Sequence, residues 1–216
     1  KAAAAVKESA ALLAWARVPV AGAAPAQLAT PSRAAHIDPA LFSPRADGQK
    51  RFRRGKLIHG LLERLPDVAG ERRESAAKAW LKRQAATDDE IEAYAREAMS
   101  ILNDPRFAML FGPMSRAEAP IVGMAGTRPV RGVVDRLAVD DERVMVLDYK
   151  TDRPAPTKSA DAPLAYVTQL ALYREVLRAV FPGKRVDCAL LWTERPLLME
   201  LAPTQLDAAF AQFRGG

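Results

Sequence analysis

The spacing of apolar positions changes several times along this chain, and each change predicts a different element. Leu57, Ile58, Leu61, Leu62 and Leu65 recur at helical spacing, predicting a helix that continues out of the basic stretch 45–56. Two more helices are expected at about 71–84 and 88–103; Thr87 and Glu90 give the second a T-x-x-E capping box, and Pro105 stops it. After Pro113 the period becomes two. Strands are expected at about 118–124, 130–139 and 143–150, the last two joined as a hairpin through Asp140, Asp141 and Glu142. The helical period returns over about 163–181 and ends at Pro182 and Gly183, after which 186–193 and 197–201 read as strands around Arg195 and Pro196. The helix between Lys150 and Val186 is long enough to cross over between parallel strands. The expected fold is therefore α/β: one mixed β-sheet flanked by helices, with no internal repeat.

The remaining segment has no such period. Residues 1–17 are Ala-rich, with Leu12, Leu13 and Trp15 as the bulky side chains, and 19–44 contains five prolines among Ala, Ser and Thr. That composition favours extended chain, so 1–44 is expected to be an arm or linker and 45–216 the domain. The first residue is Lys1 rather than Met, which fits a piece of a longer polypeptide.

Composition narrows the function. At 216 residues the chain can bury one sizeable core, and a net charge of +6 with a pI near 9.7 favours a polyanionic partner. The single cysteine, Cys188, excludes an internal disulfide framework, a four-cysteine zinc site and a cysteine-ligated iron–sulfur cluster, and points to a reducing, cytoplasmic compartment. No apolar run approaches the roughly 18 residues of a membrane span, so no membrane partner is expected.

The candidate chemistry lies on two expected strands. In VMVLDYK, Asp148 and Lys150 are two apart and leave the same face, while Met145, Leu147 and Tyr149 face the other way. In GVVDRLAV, Asp135 is an acid among apolar neighbours, and a hairpin loop with an even residue count puts it on the face of Asp148. Two converging carboxylates repel unless a cation lies between them, and hard oxygen donors suit Mg²⁺, with Mn²⁺ as a substitute. Such an ion acidifies bound water and neutralises charge on a phosphate. On spacing alone, a structural ion pair at a strand end accounts for Asp148 and Lys150 at least as well.

His59 in RGKLIHGLLERL lies well off the Leu/Ile stripe, as a solvated histidine or as a ligand reaching toward the sheet. Gln169 borders the apolar face of its helix, four residues before Tyr173, and a buried amide there must find a polar partner near the D-x-K strand. Tyr166 and Tyr173 read as core. The stretch 45–56 holds six basic residues against one acid, either as a solvated face or as a phosphate-binding path through Arg51, Arg53, Arg54 and Lys56. No G-x-x-x-x-G-K-[ST] occurs, so the chain has no P-loop.

Taken together, GKLIHGLL, RGVVDRL, VLDYKT and QLALY, in this order on helix, strand, strand and helix, resemble the RecB-like branch of the PD-(D/E)xK nucleases over about residues 54–193. Within that branch the similarity is greatest to the carboxy-terminal nuclease domains of AddA-type helicase–nucleases, which process bacterial double-strand DNA breaks. The resemblance implies a restriction-endonuclease-like fold and a Mg²⁺-dependent deoxyribonuclease of exonuclease type. It further implies that His59, Asp135, Asp148 and the backbone carbonyl of Tyr149 bind the metal. Lys150 would act on the water, and Gln169 and Tyr173 would support site and DNA. Glu118 fits an acidic position of the family. Implied partners are single-stranded DNA or duplex ends, the helicase part of the same parent chain, and an AddB-type subunit. The lone cysteine departs from AddB and Cas4 relatives, which carry four for an iron–sulfur cluster. A catalytically silent DNA-end-binding module and an RNA-processing nuclease are the competing readings.

Overall fold

In a computed structural model, residues 29–31 and 45–215 are described, 45–50 by their backbone alone. The arm expected over 1–44 lies outside the described residues apart from 29–31. The stripe that starts at Leu57 belongs to α1 (Arg45–Arg64), which begins well before the apolar pattern and takes in the basic stretch. Two 3₁₀ turns lead to α2 (Arg73–Arg83) and α3 (Asp88–Leu102). Thr87 Oγ1 accepts from Glu90 N and the Glu90 carboxylate accepts from Thr87 N, so the expected capping box opens α3.

The sheet has five strands in sequence order: β1 (Ser115–Ala125), β2 (Arg128–Val139), β3 (Arg143–Lys150), β4 (Arg185–Trp192) and β5 (Leu197–Glu200). All neighbours are antiparallel except β3 and β4, which are parallel and joined by α4 (Leu164–Val180). Val139 pairs with Val144, an even loop closed by Asp140, whose carboxylate accepts from the amides of Glu142 and Arg143.

Because β3 and β4 lie inside the sheet, both of their faces are buried. Val144 and Val146 pack with Val186, Cys188 and Leu190 under α4, and Met145, Leu147 and Tyr149 pack with Ala189 and Leu191 under α1–α3. The result is three layers, helix on sheet on helix. A last helix, α5 (Pro203–Gly215), follows β5, beyond the elements expected from the sequence. Its stripe of Leu206, Ala209, Phe210 and Phe213 at i, i+3, i+4 and i+7 joins the α4 layer. Ala29 bridges Val130 in parallel, on the part of β2 that β3 does not reach. Among the described residues no helix is long and apolar enough to cross a membrane.

Candidate active site

The last residues of β3 build the site. Asp148 and Lys150 point toward α4, as the period of two requires, and are 5% exposed for Asp148 and 12% for the lysine side chain. Lys150 Nζ lies 2.6 Å from Asp148 Oδ2, and Gln169 Nε2 donates to Asp148 Oδ1 at 2.9 Å. The amide expected at the border of α4 therefore does meet the D-x-K strand. Burial pushes the Asp148 carboxyl above its ordinary range; Lys150 pulls it down and Asp135 adds to the rise.

The hydrogen-bond ladder between β2 and β3 ends at Arg136 and Leu147, one step before the two aspartates would pair. Beyond it the Asp135 carboxylate, not a backbone carbonyl, accepts from Tyr149 N at 2.7 Å. The cause lies in the side-chain alternation of β2, which slips by one here. Val130 and Val134 face the α4 core, and so do Leu137 and Val139, whereas Arg136 faces α1. Opposite Asp135, Glu118 on β1 has φ +47°, a left-handed conformation that a glutamate adopts at a cost. The exposed Glu118 carboxyl is raised by burial of its surroundings and by Asp135 and Glu63.

His59, on the half-buried flank of α1, closes the cleft from the other side. Its Nδ1 is 3.5 Å from Asp135 Oδ2 and its Nε2 is 3.1 Å from the Tyr149 carbonyl oxygen, with the two rings edge to face at 5.4 Å. Burial alone would lower the imidazole pKa, but the Asp135 carboxylate outweighs it and the net shift is upward. Asp135 responds in the opposite sense: burial raises it, yet His59, the Tyr149 amide and Lys150 hold it below its usual range. His59, Asp135, Asp148, Tyr149 and Lys150 thus meet in one place. Gln169 and Tyr173 stand behind them; the Tyr173 hydroxyl donates to the Val133 carbonyl at 3.1 Å and lies 3.5 Å from Gln169 Nε2.

The sequence model of the PD-(D/E)XK nuclease superfamily matches residues 32–212. The chain belongs to that superfamily. Comparison with curated proteins finds no match. Among solved structures, the crystal structure of SSO0001 is similar at 15% identity with a TM-score of 0.34, over 78% of this chain and 86% of that chain.

For a PD-(D/E)XK nuclease the donor chemistry fits a hard divalent cation: two carboxylates, an imidazole and the Tyr149 carbonyl. Asp148 Oδ2 is buried and has its charge compensated by Lys150 Nζ at 2.6 Å, so a metal ion bound there would share that oxygen with the ammonium. Gln169 Oε1 is a buried acceptor with no hydrogen-bond partner, which supports the fit. Among the described residues, no group of three His, Cys, Asp or Glu side chains is arranged to hold a metal ion.

The basic stretch divides in two. Arg53 donates to both Glu90 oxygens at 2.8 and 2.9 Å and to the carbonyls of Gln84 and Ala85. Arg54 donates to both Glu97 oxygens at 2.6 Å and to the Thr151 carbonyl at 2.5 Å. These two arginines join α1 to α3 and to the end of β3, whereas Arg51 and Lys56 are exposed.

Two neighbours of the site were not expected there from sequence. Arg136, 3% exposed, donates to the Tyr149 hydroxyl, to Ser115 Oγ and to the Leu62 carbonyl, tying α1, β1 and β3 together behind the aspartates. Its signal was a charged residue in an apolar strand, next to Asp135. Tyr166, expected as core, covers Lys150 with its ring.

Proposed function

We propose that this chain is a Mg²⁺-dependent deoxyribonuclease, the nuclease module of an AddA-type helicase–nuclease that acts at bacterial double-strand breaks in the cytoplasm. The observation that carries the nuclease reading is the buried Asp148–Lys150 pair beside Asp135 and His59. A purely structural ion pair has no need of a second carboxylate and an imidazole at the same strand end, with a buried Gln169 amide oxygen that has no hydrogen-bond partner beside them. The order of motifs along the chain supports the RecB-like, AddA-type assignment.

In this reading His59, Asp135, Asp148 and the Tyr149 carbonyl hold the metal ion, which supplies an acidified water and charge neutralisation at the scissile phosphate. Gln169 fixes the orientation of the Asp148 carboxylate through its 2.9 Å hydrogen bond. Lys150, an ammonium with three donors, orients the attacking water and offsets negative charge as the phosphate is attacked. Arg51 and Lys56 contact the DNA backbone without reading its sequence. Tyr173 braces Gln169 from β2. Without a P-loop, the chain depends on the helicase part of its parent polypeptide, and on an AddB-type subunit, to deliver strand to the site.

The deciding experiment is incubation of the purified chain with linear single-stranded DNA, duplex DNA and RNA, with and without Mg²⁺ or Mn²⁺, followed by product sizing. Metal-dependent shortening of DNA that is lost in Asp148→Asn supports the proposal. Binding without cleavage under every metal supports the silent end-binding module, and preference for RNA supports the RNA-processing reading.

A further inference from the structure

Lys150 meets different chemistry on its two sides. On one, its ammonium lies 2.6 Å from Asp148 Oδ2; on the other, it sits 3.7 Å from the centroid of the Tyr166 ring. With 12% of the side chain exposed, the ammonium has given up most of its water, the condition under which attraction to an aromatic face is strongest. Tyr166 is itself held at two points. Its ring packs tilted against Trp192 at 6.3 Å, and its hydroxyl donates to the Asp152 carboxylate, two residues beyond the lysine. Burial and that carboxylate push the hydroxyl pKa up, so it stays protonated and a donor. Tyr166 also precedes Gln169 by one turn of α4. One face of this helix therefore supplies both the ring beside the ammonium and the amide behind its carboxylate partner.

We propose, resting on the nuclease reading above, that Tyr166 is the positioning residue for Lys150: its ring holds the ammonium beside Asp148 and directed at the reacting phosphate. The choice of an aromatic wall follows from charge. A second carboxylate there would also hold the cation, but would compete with a phosphate for it. An aliphatic side chain would leave the ammonium at the end of a flexible four-carbon stem with one anchor. A π face attracts the charge while adding no formal negative charge. The hydroxyl's bond to Asp152 adds a tie to the loop after β3, while packing on Trp192 holds the ring.

The test compares the full chain with Tyr166→Phe, Tyr166→Leu and Tyr166→Met. Met refills the wall without a π face and serves if Leu fails to fold. In Mg²⁺-dependent cleavage of linear DNA, Leu and Met lower kcat by roughly tenfold or more. KM stays within about threefold, and Phe keeps at least about half of wild-type kcat. A second readout needs no catalysis: in lysine-labelled protein, the Lys150 methylene signals lie upfield from the ring current in wild type and Phe, and move to ordinary lysine positions in Leu and Met. Wild-type kcat in Leu and Met overturns the proposal, as does an unmoved Lys150 signal. Phe as impaired as Leu also overturns it, by assigning the role to the hydroxyl. A wild-type chain that cleaves no nucleic acid with any divalent cation defeats the nuclease reading instead, and the lysine spectrum then reports separately on how Lys150 sits against Tyr166.

Discussion

The Arg54 guanidinium grips both oxygens of Glu97 at 2.6 Å, with side-chain exposures of 13% and 9%, and so commits to folding a charge that stands in the basic run 45–56. Removing Arg54 leaves the largely buried Glu97 carboxylate with only the exposed Arg153 guanidinium, at 3.3 Å, to compensate it. Arg54→Met is expected to cost about 3 kcal/mol in urea unfolding. Loss of under about 0.5 kcal/mol, the usual scale of a surface substitution, would show that the pair is idle.

Lys56 separates the other half of that run. It is exposed, and no ion pair of Lys56 occurs among the described residues, so Lys56→Ala leaves stability unchanged within about 0.5 kcal/mol. Binding to duplex DNA should weaken for all sequences alike, and the slope of log affinity against log salt should flatten by about 0.9 for each phosphate that is no longer neutralised. Fluorescence anisotropy titrations at several salt concentrations measure both. An unchanged slope for Lys56→Ala combined with Arg51→Ala would remove this flank of α1 from the DNA path.

Asp148→Asn preserves shape and can still accept from Gln169 but turns an amide NH2 toward the Lys150 ammonium, so some stability is lost as well, while metal-dependent cleavage in the folded variant falls by roughly a thousandfold or more. His59→Ala tests a different part of the site. As a ligand its loss raises the Mg²⁺ concentration for half-maximal activity by about ten- to a hundredfold, read from a metal-activation curve and from Mn²⁺ calorimetry. An unmoved curve would return His59 to a structural role between α1 and β3.

How far the sequence reveals this site depends on how local each signal is. The strand Arg143–Lys150 carries its period in its own residues, and its bounds and the shared face of Asp148 and Lys150 follow from that alone. The even hairpin follows from the count between Val139 and Val144. The slip at Asp135 does not, because it arises where β2 leaves β3 and Glu118 turns left-handed, a relation between three strands. Likewise RFRRGK reads as one basic run until α3 brings Glu90 and Glu97 against two of its members. The C-terminal helix was legible in the spacing of Leu206, Ala209, Phe210 and Phe213. For Tyr166 the apolar stripe of α4 gave no sign that its ring would meet a charge.

Gly132 exposes how tightly α4 is seated on β2. A Cβ there would stand 2.6 Å from Tyr173 Cε1 and 2.8 Å from its hydroxyl oxygen, closer than real contacts allow. Gly132→Ala must therefore displace Tyr173, whose neighbour Gln169 holds Asp148. Overpacking of this kind costs about 1–3 kcal/mol. Cleavage should fall along with stability, and Tyr173→Leu in the same chain should recover part of the lost stability by vacating the space. No destabilisation in Gly132→Ala would mean that the ring has room to retreat.

Glu90 ties acid sensitivity to the α1–α3 junction. Its carboxylate accepts from Thr87 N and pairs with Arg53, and these two, the amide foremost, hold its pKa below the ordinary glutamate range. With the folded value below the unfolded one, the stabilisation is fully present above the unfolded pKa, about 4.3, and is lost as pH falls through the folded value. Because Glu90 and Arg53 are both partly solvated, at 29% and 40% exposure, the contribution is no more than about 1 kcal/mol. Glu90→Gln can still cap Thr87 but carries no charge, so it should be less stable than wild type at pH 7. Urea unfolding series between about pH 7 and pH 3 should show that difference shrinking below about pH 5 and closing as Glu90 protonates in the native state. A difference that stays constant across this range would trace the cost to lost packing and not to the charge on Glu90.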